Sequence, residues 1–484
     1  MSDPLSLVPM AAAANGGRID GIPASALVGA GVTLLQRCAP LVRALAGRRA
    51  AILLPTGPAY LIALAASDGR GAVLVNPLAA PTEIAHQLKD ADVGAVFTVS
   101  ALADRIAEAD RDSRTMVLLD DAPRSARVLH GGAHRDVDLG AHTGLALEGD
   151  LDAPPSSEEA AIVYTSAMQG VPLGAILTHA NLLTNARATV DAAALTSHDT
   201  TLAVLPFAHL FGLTVTGLAP LLAGGNVTTM SRFNPVRALE MVEGGEVTHL
   251  AGVPAIYVSL MAAIERRPSF NPGALRVALC GGAVLSPELQ ERWAETTGVE
   301  LRQGYGLTEA GPVSIFNRVD RPNVRGTLGV PFPGVEASIR EYGTGVALPD
   351  GTEGEICVRG PNLSPGYVSR GEAGLAVRDG WLATGDRGVR HPDGTFGFRG
   401  LYKEMFTRNG FNVYPREVEH AVGSLPGVTS VRAFPRPHPI RENDLIVEVA
   451  GDVDEAAVRE WMAARLAAYK QPAEVLLPGH RTQG

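Results

Sequence analysis

The segment of residues 160–181, AAIVYTSAMQGVPLGAILTHAN, constrains the fold more than any other part of the chain. Its apolar residues 161–164 predict a buried strand, residues 165–174 predict a loop of small residues, and a helix is expected to begin near Thr178. Backbone N–H groups of such a loop, and the N-terminus of a helix that follows it, can face an anion. The segment therefore predicts a strand–loop–helix unit with the geometry of a phosphate cradle.

Apolar strand-like runs alternate with helical segments on both sides of this loop. AAILLPTG, GAVLVNPL and VGAVFTV precede it, and TLAVL, GGNVTTM, VTHLAGV and LRVALC follow it. This alternation predicts an α/β fold with a parallel sheet covered on both faces. Residues 110–158 show little pattern beyond MVLLD and are interpreted as a peripheral connection.

The texture of the sequence changes twice in its last third. From residue 329 to 398 the apolar runs shorten, and Gly, Pro and Asp separate them, which predicts a small antiparallel barrel or sheet. After residue 400 the chain alternates again and predicts a small α+β unit. We therefore divide the chain into an N-terminal domain, residues 1–399, and a C-terminal lid, residues 400–484.

Composition excludes several classes of protein. The net charge of −10 argues against nucleic-acid binding. Cys38, Cys280 and Cys357 are far apart and form no disulfide or zinc pattern, which favours a reducing compartment. No signal-peptide pattern opens the sequence, and no apolar run approaches the roughly 18 to 20 residues of a membrane span. We expect a cytoplasmic protein without a membrane span.

Five signatures stand in a fixed order, the loop described above and four others: YTSAMQGVPLG, LPFAHLFG, QGYGLTEA, WLATGDRG and KEMFTRNGFNVYPREVE. Together they resemble the acyl- and aryl-adenylating (ANL) superfamily, which includes acyl-CoA synthetases, luciferases and adenylation domains. The resemblance implies a large N-terminal domain of two α/β subdomains and a small β-barrel, followed by a mobile α+β lid. It also implies two half-reactions. A carboxylate first attacks ATP to give an acyl-AMP, and a thiol then displaces AMP to give a thioester.

The resemblance assigns residues to the nucleotide and to catalysis. Tyr305 would stack on adenine beside the Gly281–Gly282 turn, and Asp386 would accept hydrogen bonds from both ribose hydroxyls. Thr308 would contact the α-phosphate, and Glu309 would bind the magnesium of an ATP complex. The residues expected to be catalytic are His209, Thr308 and Glu309. Without the resemblance, His209 alone would be interpreted as a hydrogen-bonded interior histidine, and Thr308 and Asp386 as cap and turn residues.

The resemblance also implies an acyl pocket and a tunnel for the pantetheine arm. The pocket would be formed by His209, Phe211, Pro254, Tyr257, Gly281 and Gly306. Coenzyme A would contact Lys403, Arg408 and Gly410. Cys280 could act as a nucleophile, although buried cysteines are mostly inert. Lys470 is interpreted as a surface charge at a helix end.

The groups that handle pyrophosphate in this superfamily are largely missing. The loop residues are Thr165, Ser166, Ala167, Met168, Gln169, Gly170 and Leu173, so a glycine, hydroxyls and a lysine are replaced. The arginine of the lid's usual Gly-Arg-x-Lys run is Leu401, and the late lysine expected after a Pro-Arg-Thr-like segment is not found in residues 480–484. Such groups each stabilise a transition state by roughly 2 to 4 kcal/mol. We therefore predict a phosphate loop that no longer supports ordinary adenylation.

These losses predict an acyltransferase that keeps only the thioester half of the reaction. It would move an acyl group from coenzyme A to the phosphopantetheine thiol of an acyl carrier protein, without ATP or a required metal, either directly or with AMP as a reusable carrier. An aryl donor such as anthraniloyl-CoA is implied by the resemblance to atypical members of the superfamily. Two alternatives stay open: an ATP-dependent acyl- or aryl-CoA ligase, and a catalytically silent acyl-CoA-binding protein. A thioester hydrolase has no Ser-His-Asp order to support it.

Overall fold

Two nine-stranded mixed sheets form most of the protein. The computed structural model describes residues 4–67, 70–140, 155–165, 172–267, 269–368, 375–402 and 404–477. In spatial order the first sheet contains Val330–Pro331, Val313–Phe316, Leu301–Gly306, Val277–Cys280, His249–Gly252, Thr200–Ala203, Asn226–Thr229, Arg18–Ile19 and Ile22–Pro23. The second contains Gly366–Tyr367, Leu173–Thr178, Glu159–Thr165, Ala72–Leu74, Arg49–Leu53, Val93–Thr98, Thr115–Leu118, Ser125–His130 and Ala133–Asp138.

The central strands of both sheets are parallel, as the alternation of strands and helices predicted. Antiparallel strands close the edges. The helices of this part are Val8–Ala13, Ala24–Arg37, Ala39–Leu45, Ala59–Ala66, Pro81–Asp90, Ser100–Ala103, Glu108–Asp112, His179–Ala192, Ala219–Leu222, Pro235–Glu243, Pro254–Ile264 and Pro287–Thr297, with a π-helical turn at Phe211–Leu218. Short 3-10 turns cover Pro4–Ser6 and Thr308–Ala310.

The structure corrects the prediction that the loop leads directly into a helix. An extra strand, Leu173–Thr178, runs antiparallel to Glu159–Thr165 before the helix His179–Ala192 begins. Its residues alternate between sheet faces and bury Ala175 and Leu177, which stabilises a hairpin. Thr178 is the N-cap, as expected, and accepts a hydrogen bond from the Asn181 N–H. The helix N-terminus therefore lies one strand away from the loop.

The region interpreted as a peripheral connection is more regular than its sequence suggested. The MVLLD segment forms the buried strand Thr115–Leu118, and Ser125–His130 pairs with Ala133–Asp138 as a hairpin at the sheet edge. Residues 141–154 lie outside the described part of the chain. The sequence analysis missed the hairpin because Ser125–His130 buries only Ala126 and Val128 and Ala133–Asp138 buries only Val137, so the apolar pattern is weak.

The predicted small antiparallel sheet is confirmed. It contains Glu336–Arg340, Glu353–Arg359, Trp381–Arg390, Val377–Arg378 and Phe396–Leu401. A hairpin, Phe406–Arg408 and Phe411–Val413, follows it, and we call this pair of strands the lid hairpin. The last sheet contains Val428–His438, Glu442–Gly451 and Glu474–Leu476, and it packs with the helices Pro415–Gly423 and Glu455–Arg465 and the 3-10 turn Ala468–Lys470.

The part of the chain from residue 406 to 475 has its own hydrophobic core. Val413, Val418, Val447, Val458 and Met462 belong to this core, which is separate from the three clusters of the preceding domain. Within the described ranges, no single helix is long and apolar enough to cross a membrane. The pair Ala24–Arg37 and Ala39–Leu45 passes that test only together, and by length and composition alone, with a bend of 91° between the two helices.

Candidate active site

A cavity of about 520 Å³ lies between the first sheet, the small antiparallel sheet and the lid hairpin. It opens at the carboxyl ends of the parallel strands Val277–Cys280 and Leu301–Gly306. Ligands of open α/β sheets bind at this edge because loops and helix ends converge there. The signatures LPFAHLFG, QGYGLTEA and TGD, which are far apart in sequence, all contribute residues to the cavity wall.

Tyr305 and Asp386 form the polar end of the cavity. The Tyr305 hydroxyl donates a hydrogen bond of 2.6 Å to Asp386 Oδ2, which joins the first sheet to the small antiparallel sheet. The Asp386 N–H donates to Thr384 Oγ1 over 3.1 Å, which fixes the backbone of the TGD turn. Burial, followed by the charge of Asp386, raises the pKa of Tyr305 well above its usual value. Tyr305 therefore stays a donor and Asp386 an acceptor.

Glu309 joins three segments at the next part of the wall. Its Oε1 accepts hydrogen bonds from the Tyr367 hydroxyl at 2.8 Å and from Thr165 Oγ1 at 3.4 Å. Thr308, Glu309, Tyr367 and Thr165 all line the cavity. Sequence reasoning did not select Tyr367, because no motif surrounds it and only strand pairing brings it to Glu309. Across the described ranges, no group of three or more His, Cys, Asp or Glu side chains could hold a metal ion.

His209 and Phe211 form the part of the cavity wall at the start of the π-helical turn. His209 Nδ1 accepts the Phe211 N–H at 3.2 Å, which places the proton of the neutral ring on Nε2. Burial lowers the pKa of His209 to about 4. The Phe211 ring lies against Gly281, where an added Cβ would be 3.3 Å from the ring. His209 is therefore a neutral polar group in an otherwise apolar wall.

Gly306 also lies where the sequence analysis placed it. A Cβ at this position would be 1.8 Å from the Pro312 carbonyl oxygen, so only glycine allows the chain to turn here. This close approach brings Thr308 and Glu309 back toward the cavity that Tyr305 lines.

The structure corrects the acyl-pocket prediction for Pro254 and Tyr257. Tyr257 is fully buried, its hydroxyl donates to the carbonyls of Leu250 and Leu279, and its ring packs edge-on against Trp293. Pro254 begins the adjacent helix. Neither residue is among those that line the cavity, and Tyr257 belongs instead to the hydrophobic core that contains Trp293. The apolar wall of the cavity instead includes Ala192, Ala193, Val215, Leu279, Phe316 and Phe332.

Cys280 lines the cavity, but its thiol is not poised for nucleophilic attack. Burial, followed by the charge of Glu442, raises its pKa well above the usual value. The thiolate is the nucleophilic form, so a raised pKa disfavours the reaction. The nucleophilic role considered for Cys280 is therefore disfavoured.

The tip of the lid hairpin reaches the cavity at Gly410. Asn409 and Gly410 both have positive φ angles, 51° and 76°, as a two-residue hairpin turn requires. A Cβ on Gly410 would lie 2.4 Å from Val253 Cγ1, so the backbone of the lid touches the N-terminal domain here. Arg408 was predicted to contact coenzyme A, but it donates to the carbonyls of Tyr469 and Gln471 inside the lid. Lys403 lies outside the described residues.

Thr165 and Leu173, at the two ends of the phosphate loop, pair across the hairpin and line the cavity. The loop residues Ser166, Ala167, Met168, Gln169 and Gly170 lie outside the described part of the chain. Leu401 pairs with Asp386 in neighbouring strands and also lines the cavity. An apolar side chain, that of Leu401, therefore lies at the polar end of the cavity, next to Asp386.

The sequence analysis predicted that Lys470 is a surface charge, and the structure corrects this. Lys470 is buried. Only 3% of its side chain is exposed, and its Nζ lies 2.8 Å from Glu83 Oε1 and 2.6 Å from Glu417 Oε1. Burial lowers its pKa, but Tyr469, Glu417 and Glu83 raise the pKa by more, so the amine stays charged. No sequence signal could reveal this cluster, because Glu83 is 387 residues away.

The comparisons with known proteins agree with this geometry. A model of the AMP-binding enzyme family matches residues 40–368. A feruloyl-CoA synthase from Amycolatopsis is 34% identical over 443 residues, covering 89% of this chain and 84% of that protein. A long-chain-fatty-acid–CoA ligase from Bacillus subtilis is 29% identical over 461 residues, covering 88% and 81%. This chain belongs to the AMP-binding enzyme family.

A solved structure extends the comparison to the whole fold. A malonyl-CoA ligase bound to methylmalonyl-CoA and AMP matches with a TM-score of 0.77 and 27% identity, covering 98% of each chain. This confirms the α/β ANL fold with a large N-terminal and a smaller C-terminal part, and it identifies the protein as an enzyme of the acyl-CoA ligase family.

The same relatives overturn the prediction of ATP-independent transfer to a carrier protein. They are CoA ligases and a CoA synthase, and a product complex among them contains AMP together with methylmalonyl-CoA, the products expected after an acyl-AMP has reacted with coenzyme A. The prediction relied on side chains missing from the phosphate loop and from the lid, and it took no account of the main chain. Ala167, Met168 and Gln169 still have backbone N–H groups, and these are the donors on which many phosphate cradles depend.

Proposed function

We propose that this protein is an ATP-dependent acyl- or aryl-CoA ligase. One observation carries the proposal: a single cavity joins the Tyr305–Asp386 pair, the neutral His209 and the Gly410 tip of the lid hairpin. A ligase needs these three parts together, for a nucleotide, an acyl group and a thiol. The carboxylate oxygen attacks the α-phosphorus and pyrophosphate leaves. The thiol sulfur then attacks the acyl carbon and AMP leaves.

The nucleotide end is proposed to use the residues that the sequence analysis selected. Asp386 would accept the ribose hydroxyls, and the Tyr305 ring would hold the base beside the backbone of Gly281 and Gly282. Thr308 would donate to the α-phosphate. The oxygen atoms of Glu309 and Thr165 are of the type that Mg²⁺ prefers, and they lie 3.4 Å apart. Magnesium bound there would neutralise phosphate charge.

The acyl end is proposed to accept a carboxylic acid with an aromatic or aliphatic body. Its walls combine the Phe211 ring with small and branched residues, so apolar surface can be buried there. His209 stays neutral because burial lowers its pKa to about 4, and its Nε2–H can donate to a carboxylate oxygen. Ferulate and 4-coumarate, named for relatives, are suitable probes of this class.

The lid is proposed to be a separate domain, residues 400–484, that completes the site for the thiol. Its separate core supports this division, and so does the approach of Gly410 to Val253. The pantetheine arm of coenzyme A would pass beside Gly410, where the missing side chain leaves the backbone accessible.

The test measures all products of the reaction at once. The protein is incubated with ATP, Mg²⁺, coenzyme A and ferulate, 4-coumarate or a fatty acid, and thioester, AMP and pyrophosphate are quantified. We expect the three products in equal amounts, and no thioester when ATP is omitted. A folded protein that forms no thioester, AMP or pyrophosphate with any acid of the panel would overturn the proposal.

A further inference from the structure

A buried cluster of three charges lies outside the cavity, at the contact between the lid and the N-terminal domain. Lys470 belongs to the lid, Glu417 to the lid helix Pro415–Gly423, and Glu83 to the N-terminal helix Pro81–Asp90. The exposed fractions of the three side chains are 3%, 4% and 10%. One ammonium group thus bridges a carboxylate of its own domain and a carboxylate of the other.

Three further hydrogen bonds join the lid and the N-terminal domain near this cluster. Thr82 Oγ1 donates to the carbonyls of Ala464 and Arg465, and the Ala468 N–H donates to the Leu78 carbonyl. Because the lid has a separate core, these contacts form an interface between two independently packed units. Its geometry therefore decides how the lid is oriented.

Two contacts connect Lys470 to the lid hairpin. The ring of Tyr469, its neighbour in the chain, stacks on Phe411 with centroids 4.4 Å apart and an angle of 15°. Arg408, at the other side of the hairpin turn, donates to the carbonyls of Tyr469 at 3.1 Å and Gln471 at 2.5 Å. The turn that holds Lys470 is thus tied to both strands of the hairpin whose tip reaches Val253.

We infer that the Lys470–Glu83 ion pair is a positioning contact for the thioester half-reaction. It fixes the lid on the helix Pro81–Asp90 in the orientation that places Gly410 at the cavity. The kinetic part of this inference rests on the proposed ligase function, and the structural part does not. When Glu83 is neutralised, Lys470 stays paired with Glu417 inside the lid, but the ion pair that joins the lid to the helix Pro81–Asp90 is lost, so the preference for this orientation falls.

Glu83→Gln is the sharpest variant for this test. Glu83 Oε2 also accepts the Ala80 N–H at 2.7 Å, as in a capping box, and a glutamine oxygen can still accept this bond. The substitution therefore removes the charge and keeps the helix cap. Glu417→Gln is the matched control, since it removes a carboxylate from the same lysine but stays within the lid.

The structural readout is the distance between spin labels on the two domains. Val236 and Ile440 are exposed, at 52% and 50%, whereas all three native cysteines are buried, so Val236→Cys and Ile440→Cys can be labelled selectively. We expect one main distance in the wild type and in Glu417→Gln. In Glu83→Gln the population of molecules with this main distance, relative to the population with other distances, should fall about tenfold or more.

The kinetic readout separates the two half-reactions. In Glu83→Gln the CoA-dependent formation of thioester should fall about tenfold, while CoA-independent pyrophosphate release stays within about twofold. If the wild type forms no thioester, the proposed function fails, but the label distances still decide the positioning role. Unchanged distances in Glu83→Gln would overturn the inference. If that variant does not fold, Glu83→Asp, which withdraws the carboxylate by one methylene, is measured in its place against the same expectation.

Discussion

The Tyr305–Asp386 pair and the Lys470–Glu83–Glu417 cluster both remove charge from water, but only the first borders a cavity. Asp386 is 7% exposed, lines the cavity and accepts a hydrogen bond from the neutral Tyr305 hydroxyl. Lys470 is surrounded by two carboxylates and leaves no space for a ligand. The difference separates a carboxylate prepared for a ligand from a charged group that holds two domains together.

The largest effect on stability should come from Lys470→Met, which would remove the cation from the Lys470–Glu83–Glu417 cluster. Glu83 and Glu417 would then stay buried without a cation, so we expect the free energy of unfolding to fall by about 3 to 5 kcal/mol. Urea denaturation measures the change. Lys89→Met, at an exposed position of the same helix as Glu83, is the control and should change stability by less than about 0.5 kcal/mol. A loss in Lys470→Met no larger than in this control would contradict the comparison.

Asp386→Asn should have the opposite profile, with a large loss of activity and a small loss of stability. The amide keeps the size of the side chain but removes a charged acceptor from the nucleotide end, so we expect kcat/KM for ATP to fall roughly 100-fold. Steady-state pyrophosphate release measures it. Asp104→Asn, at a position whose side chain is 95% exposed, is the control. Asp386 would have no nucleotide role if the variant kept wild-type kcat/KM for ATP.

His209 extends the comparison of the cavity with the charged cluster, because it is a cavity residue that burial keeps neutral. Its pKa is about 4 in the folded protein and about 6.5 in an unfolded chain, so the unfolded state binds more protons below pH 6.5. Stability should therefore fall as the pH drops from 6.5 toward 4, with a loss of roughly 1.5 kcal/mol by pH 5 from this histidine. Urea denaturation across this range measures the loss.

The variant His209→Gln isolates this contribution. Burial also lowers the pKa of His249, in the core, to about 4. The variant should therefore keep the part of the pH dependence that comes from His249 and lose the part that comes from His209. Equal pH slopes for wild type and variant would show that His209 is not kept neutral by the fold.

The motifs predicted the residues that line the cavity better than the core residues that pack around it. Tyr305, Asp386, Thr308 and His209 line the cavity, because each lies at a strand end or turn that its signature marks. Tyr257 was misplaced because it was assigned to the pocket by the resemblance alone, which does not tell which face of the helix Pro254–Ile264 carries its ring. Its hydroxyl instead bonds two strand carbonyls.

The phosphate loop shows the limit of reading side chains alone. Its departures from the superfamily pattern are plain in the sequence, and yet the relatives of the chain are CoA ligases. Main-chain N–H groups, which every residue except proline carries, leave no mark in a sequence. Counting lost hydroxyls and a lost lysine therefore underestimated what such a loop can bind.

The sequence alone determined the α/β class, the order of the signatures and the strand ends at which reactive residues stand, because these depend on local periodicity and on turns. Only the tertiary structure decided that Lys470 meets Glu83 and that Gly410 meets Val253. Both contacts join segments more than 150 residues apart, and close packing of two separate cores, not local propensity, brings such segments together.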